Sequence, residues 1–380
     1  MIEKIDVNLL NKVSALKKED FSCIVWVINF WEAKKKLLDT FGENCIVAEF
    51  PFLNAVAIKI KSGDLFKLSQ FCFVEYVSSV QNASVFLNKA RNDLDINDLH
   101  SMGVVGSGVC VAVIDTGIYP HLDFCMGHNR IVVFKDFVGG KSSPYDDNGH
   151  GTFVAGVLGG SGLVYNGKFK GVAPGCDLVI LKALDKNGET QGVTILQAMQ
   201  WIVDNKDTYN IKVVCMSFGS VPLSKNDPLI AGVKVLWENG IIVVCAGGND
   251  GPQPNTIKSP GACPSVITVG SCDIIDSLED VKVASFSSRG PAFDFVKPDI
   301  LAPGLEIIST DNSEKFYTQM TGTSVSTPFV AGMCALILGE NPKLSPNFVK
   351  GLIMASAVTI DDDKNSCGSG LVNAKNIFIY

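Results

Sequence analysis

The residue types needed to turn a hydroxyl into a nucleophile stand far apart in this chain. Asp115 closes the apolar run of AVIDTG, His150 sits between two glycines in DDNGHGTFVAG, and Ser324 lies in MTGTSVSTPFVAG. Attack by serine on a carbonyl needs a base for the hydroxyl proton and a carboxylate to hold that base in one tautomer. It also needs donors for the oxyanion that forms. Asn249, in VVCAGGNDG, offers a side-chain amide for that last task. Taken singly, each residue has a plainer explanation. An Asp after a strand is most often a turn or cap residue, a glycine-flanked His a solvated loop residue, and an Asn in GGND a turn former. Thr321, Thr323, Ser324 and Ser326 together read as a capped helix start, because Ser and Thr oxygens accept first-turn N–H groups. The combination outweighs these explanations. The chain has 4 histidines, and His150 alone lies between glycines at the start of a small-residue helix.

Positioning such a set requires a scaffold, and the apolar pattern supplies one from about residue 100 onward. VCVAVID (109–115), LVILKAL (178–184), VVCMSFG (213–219), IIVVCAGG (241–248) and SVITVGS (265–271) are continuous apolar runs of strand length. VTILQAMQWIVDN (193–205) and LIAGVKVLWENG (229–240) between them have helical periodicity. Continuous apolar strands alternating with helices predict a parallel sheet covered on both faces, an α/β fold. In such sheets a site forms beyond the carboxyl ends of the strands, where Asp115 and Asn249 fall. The segment before residue 88 reads differently. CIVWVINF (23–30), EAKKKLLDTFG (32–42), two strands in CIVAEFPFLNAVAIKI (45–60), GDLFKLSQF (63–71) and VEYVSSV (74–80) give βαββαβ. That order predicts a small ferredoxin-like α+β domain over 1–88, ahead of a large domain over 89–380. The polar NKARNDLDIND (88–98) reads as a linker.

Composition mainly excludes. A hydrophobic content of 47% and a charged content of 19% over 380 residues describe a chain able to bury a large core. The net charge of −7 argues against nucleic-acid or anionic-membrane partners. The N-terminus shows neither the uninterrupted apolar segment nor the small-residue cleavage site of a signal peptide, and no stretch reaches the roughly 20 apolar residues of a membrane span. The 12 cysteines form no CxxC pair, which argues against zinc. Cys110, Cys215 and Cys245 fall in apolar runs, where cysteine acts as a small hydrophobe. Many thiols and no leader lead to the expectation of a reducing, cytoplasmic location.

With these segments in view the chain resembles the subtilisin-like serine proteases over nearly its whole length. AVIDTGI, NGHGTFVAG, GVAPGCDLVILKAL, SFGS, SVITVGS, ASFSSRGP, KPDILAPG, GTSVSTPFVAG and SGLVNA follow one another in the family's order. The resemblance implies a three-layer α/β peptidase domain and a serine endopeptidase acting through an acyl-enzyme. It gives Asp115 the role of orienting carboxylate, His150 that of general base and then acid, and Ser324 that of nucleophile. Asn249 becomes the oxyanion donor, with the N–H of Ser324. No cofactor is required by this chemistry. Ser217, Phe218 and Gly219 match the segment that pairs with an extended peptide. The loop NGETQG, with Gly188 and Gly192, matches the other wall of the groove. Ala246, Gly247 and Asp250 match positions around the pocket for the residue before the cut, where Asp250 would raise tolerance for basic side chains and bulky apolar ones remain the main expectation. The N-terminal domain resembles an inhibitory propeptide, which makes the protein a self-processing zymogen cut between Ala83 and Lys89.

Several positions depart from that pattern. Phe153 and Phe329 stand where the family usually has histidine, on what should be the first turns of their helices, as buried support for the triad. Val325 and Ser326 replace Met and Ala, and Ser326 reads as structural. Asp123 resembles a calcium ligand, yet Lys168 and Lys170 stand where neutral oxygen donors are expected, so calcium is not assumed. Two alternatives stay open on these residues: a transpeptidase or macrocyclase using the same acyl-enzyme, and a catalytically silent regulatory homologue.

Overall fold

The computed structural model describes residues 4–5, 9–10, 20–51, 54–79, 94–222, 224, 227–275, 277–278, 280–313, 315–360 and 363–378. The chain divides into two compact units, Met1–Ser84 and Val85–Tyr380. The smaller unit runs β1 (Asp20–Val27), α1 (Phe30–Phe41), β2 (Ile46–Phe50), β3 (Ala55–Lys61), α2 (Leu65–Ser69) and β4 (Val74–Ser79). Its four strands are antiparallel in the order β2-β3-β1-β4, the βαββαβ arrangement expected from the sequence. Helix α1 starts where the Asn29 side chain accepts the Glu32 N–H, and it stops at Gly42 with φ 92°. Both ends follow ordinary capping chemistry. One face of β1 and β3 buries Val25, Val27, Val56 and Ile58 against Phe30, Leu37, Leu65 and Leu68 of the helices.

The larger unit is built on β5 (Cys110–Asp115), β6 (Ile131–Asp136), α3 (His150–Gly159), β7 (Asp177–Lys182), α4 (Gly192–Asn205) and β8 (Ile211–Met216). It continues with α5 (Pro228–Glu238), β9 (Ile242–Ala246), β10 (Ile267–Ile274), β11 (Val281–Val283), β12 (Ile300–Pro303), β13 (Ile307–Thr310), β14 (Tyr317–Met320), α6 (Thr323–Glu340) and α7 (Pro346–Ala355). The main sheet has the order β11-β10-β9-β8-β5-β7-β6, with β12 added beside β10. All its pairings are parallel except β10 with β11. Helices α3 and α6 pack on each other and on the central strands, and α4 and α5 pair on the sheet's other face. The expected α/β architecture is therefore the observed one.

Three local differences from the sequence reading have physical causes. The stretch expected to be a linker ends in a helix, Ile96–Ser101, anchored because Leu94, Ile96 and Leu99 are all buried in the large core. Strand β6 was not anticipated, since its apolar run is short, Ile131 to Phe134, and ends at the exposed Lys135. Helix α6 is 18 residues long and apolar enough to cross a membrane by composition alone, yet every residue from Val325 to Leu338 is buried in the core. A helix with no polar face belongs at the centre of a large protein. The thiols of Cys110, Cys215 and Cys245 are buried, and burial pushes Cys215 up to about 12, so it packs as a neutral hydrophobe.

Gly156 of α3 touches β13 so closely that an added Cβ would lie 2.2 Å from Thr310 Oγ1 and 2.3 Å from Ser309 Oγ. Those hydroxyls donate to Thr152 O at 2.7 Å and Phe153 O at 2.9 Å, tying α3 down. Gly156→Ala should cost about 1–3 kcal/mol by overpacking, read as a drop of several degrees in calorimetric melting temperature. An unchanged melt would show that β13 yields freely.

Candidate active site

Strand β5 is buried along its whole length and delivers Asp115, itself fully buried, to the carboxyl edge of the sheet. The turn that follows comes into backbone contact with the start of α3. A Cβ on Gly151 would lie 2.3 Å from Gly117 O, and a Cβ on Gly117 2.2 Å from Tyr145 O. Gly117 also has φ 122°, open chiefly to glycine. This approach brings His150 Nδ1 to 2.7 Å from Asp115 Oδ1, which also accepts the Thr116 N–H at 2.7 Å. The His150 side chain stays 27% exposed, so one ring edge faces solvent while the other is held. Burial pulls its pKa down, but the Asp115 charge and hydrogen bond, with Asp146 beyond, outweigh this and leave it above the ordinary imidazole value. Asp146 is the cap of α3. Its Oδ1 accepts the Gly149 N–H and the Thr116 hydroxyl at 2.9 Å each, and its Oδ2 accepts the Thr152 N–H at 2.9 Å. A carboxylate there also complements the helix dipole.

The opening of α6 sorts its hydroxyls by environment. Ser326 is fully buried with no partner for Oγ, and Thr323 is 1% exposed. Thr321 is exposed, but its oxygen accepts the Glu306 N–H at 2.8 Å. Ser324 alone is partly exposed and without a hydrogen-bond partner for Oγ among the described residues. Thr323 does something the sequence did not reveal. Its N–H and hydroxyl both donate to Asn249 Oδ1, at 2.9 and 3.0 Å, which fixes which end of that amide is the donor. A Cβ on Gly322 would lie 3.2 Å from both Asn249 Nδ2 and Ser324 Oγ. A bare backbone there leaves a small space flanked by one hydroxyl and one amide N–H. Phe153 and Phe329 are fully buried in one core, as expected, although Phe329 falls on the second turn of α6 rather than the first.

Beside this space runs an open edge. Phe218 and Gly219 make no backbone hydrogen bond among the described residues, and Ser220 then bonds Ser259 in both directions at 2.9 Å. A cleft of about 390 Å³ lies between Phe218 and Gly219 on one side and Gly188, Glu189 and Gly192 on the other. Ser217 is buried, its hydroxyl 3.7 Å from Cys215 Sγ. Ala246 and Gly247 are buried too, and Gly247 bonds Val269 O at 2.8 Å and receives the Lys258 N–H at 2.9 Å. Asp250 is not an isolated charge: its carboxylate is paired with the ammonium of Lys258.

Lys182, fully buried at the end of β7, was missed by sequence reasoning. Its ammonium donates to Thr116 O at 2.6 Å, Asp147 Oδ1 at 2.7 Å and Leu184 O at 3.1 Å, bracing both loops that carry Asp115 and His150. The signal was present, as a lysine inside the apolar run LVILKAL. Asp123 is 1% exposed, and its Oδ2 accepts the Tyr317 phenol at 2.7 Å, with Val164 N–H 3.4 Å from Oδ1. Aromatic rings, not oxygens, surround it: Tyr317 packs on His121, Tyr165 and Phe169, and the Lys168 ammonium lies over Phe169. Calcium takes six to eight oxygen ligands, so this donor set does not fit it. Among the described residues no group of three or more His, Cys, Asp or Glu could hold a metal.

Residues 106–370 match the subtilase family of peptidases. Serine protease AprX of Bacillus subtilis (strain 168) is 38% identical, over 90% of this chain and 87% of that protein. Subtilisin DY of Bacillus licheniformis is 35% identical, over 73% of this chain and 93% of its own length. Among solved structures, Sphericase superposes with a TM-score of 0.63 at 31% identity, covering 70% of this chain and 92% of that one. The order of motifs, the sheet and the relatives agree: this chain is a member of the subtilase family, a serine endopeptidase of the hydrolase class.

Proposed function

We propose that Asp115, His150 and Ser324 form the catalytic triad of this endopeptidase and that Asn249 is its oxyanion donor. The observation that carries this is the space over Gly322, flanked at 3.2 Å by a hydroxyl and an amide N–H. A peptide adds to the free edge at Phe218–Gly219 as an extended strand. The Ser324 Oγ–H passes its proton to His150 Nε2 while Oγ bonds the carbonyl carbon. The imidazolium then donates from Nδ1 to Asp115, whose charge stabilises it. Negative charge on the carbonyl oxygen meets Asn249 Nδ2–H and the Ser324 N–H, one of the unpaired first-turn donors of α6. His150 returns the proton to the leaving amine, and water repeats the sequence to release the acid. The Asp115–His150 bond and the oriented Asn249 amide speak against a silent homologue.

The smaller unit acts, in this reading, as an inhibitory propeptide that the chain removes itself. The expected cut, between Ala83 and Lys89, lies outside the described residues. Twelve free cysteines favour a reducing, intracellular setting. At Asp123 the Tyr317 phenol takes the place that a metal would otherwise fill, so the fold does not rely on calcium there.

Three outcomes follow. Ser324→Ala should abolish cleavage of a fluorogenic peptide and accumulate as a full-length chain, whereas the wild type shortens on a gel; equal lengths would refute self-processing. The wild-type rate should fall as pH drops through the raised His150 pKa, because the protonated imidazole cannot act as base. Asp115→Asn removes the charge that raises it, so that limb should move to lower pH while kcat falls about 10⁴-fold; an unmoved limb would assign it to another group. Finally, a chelator should leave the melting temperature unchanged, while Tyr317→Phe, which strands a buried carboxylate oxygen, should cost about 1–3 kcal/mol.

A further inference from the structure

A lysine stem lies against the backbone next to Asn249. Gly219 and Gly248 stand on opposite sides of the Lys258 stem: a Cβ on Gly219 would lie 2.6 Å from Lys258 Cβ, and one on Gly248 2.5 Å from Lys258 Cγ. Gly248 directly precedes Asn249, so the stem lies beside the group that would hold the attacked carbonyl. The lysine cannot simply swing away at its base, because its N–H donates to Gly247 O at 2.9 Å and the neighbouring Ser259 is bonded to Ser220 in both directions. Its side chain is 19% exposed and its ammonium is paired with Asp250, whose side chain is 55% exposed. The Asp250 loop is itself fixed, since the Asp250 N–H donates to Ser288 Oγ at 3.1 Å and the Ser288 N–H to Gly248 O at 2.9 Å.

We infer that Lys258 is the specificity-determining residue for the side chain before the cut, and that it selects carboxylate-bearing residues over basic ones. This rests on the peptidase reading above, and it reverses the expectation that Asp250 raises tolerance for basic side chains. The charge of Asp250 is already answered by Lys258, so an incoming ammonium would meet a like charge at the pocket wall. An ion pair with a partner this exposed is weak. A substrate carboxylate entering a less hydrated pocket can therefore share or take the ammonium, leaving Asp250 to water. Apolar side chains can lie along the lysine stem without disturbing the pair.

The test is a set of otherwise identical fluorogenic peptides with glutamate, lysine or leucine before the cut, assayed on the mature wild type, Lys258→Met, Lys258→Gln and Asp250→Asn. Each value of kcat/KM is normalised to the leucine peptide. The wild type should prefer glutamate to lysine by about tenfold or more, the scale of one charge-assisted contact. Both Lys258 variants should invert that ratio, because Asp250 is then unanswered, and Asp250→Asn should enlarge it. A wild-type enzyme that cleaves lysine as well as glutamate, or a ratio untouched in both Lys258 variants, would overturn the inference while leaving the peptidase intact. Failure to cleave even the leucine peptide would overturn the peptidase reading itself, and this inference with it.

Discussion

Everything at the site depends on two backbones being allowed to touch. The turn after β5 and the start of α3 approach so closely that a side chain at Gly151 would meet a carbonyl oxygen at 2.3 Å. Only that approach lets a buried carboxylate on a strand reach an imidazole on a helix at 2.7 Å. The contact then has to be stabilised against its own cost, since an ionised carboxylate out of water is expensive unless it is hydrogen-bonded. Thr116 N–H and His150 supply the bonds to Asp115 Oδ1, and Asp146 and Lys182 hold the segments from which they come. The polar network around Asp115 and His150 is therefore one connected construction, in which Asp115 Oδ1 takes the bonds while the buried Oδ2 has no partner among the described residues.

A second construction of the same kind holds the far side of the sheet. Lys297 is buried with its ammonium on Asp299 Oδ2 at 2.5 Å, Thr268 Oγ1 at 2.8 Å and Val266 O at 3.0 Å. Lys350 reaches the other oxygen of Asp299 at 2.9 Å. Burial lowers Lys297 to about 8, with Asp299 opposing that fall. Asp299 Oδ2 also accepts the Thr268 N–H at 2.8 Å, so this network pins the start of β10 near the strand end that leads into β12. Buried charges of this sort specify where segments meet more than they add to stability.

Much of this was legible in the sequence, and the reasons differ by element. The central strands were plain because both faces are buried, so the apolar run is unbroken. β6 was hidden because its apolar run is short and closes on Lys135 and Asp136. Asp115, His150, Asn249 and Ser324 were readable as candidates because glycines and hydroxyls mark where chain must approach chain. The supporting residues were not. Asp146 caps α3 from outside the helix, Thr323 orients Asn249 across 74 positions of sequence, and Lys258 meets Asp250 only because a loop returns beside Gly248. Such partners are fixed by tertiary geometry, and no local pattern announces them. Asp123 is the reverse case, where a familiar residue type has acquired a phenol as its partner.

Helix α6 carries a consequence for how the molecule comes to exist. With every residue from Val325 to Leu338 buried, it has no face that tolerates water. It also contains Pro328, and short helices without tertiary support are marginal in water. The sheet and α3 supply the surface that receives it. Ser324 lies in the first turn of that helix, so its placement depends on the packing of the whole helix into the core. A chain whose core has not closed over α6 therefore lacks a fixed position for Ser324.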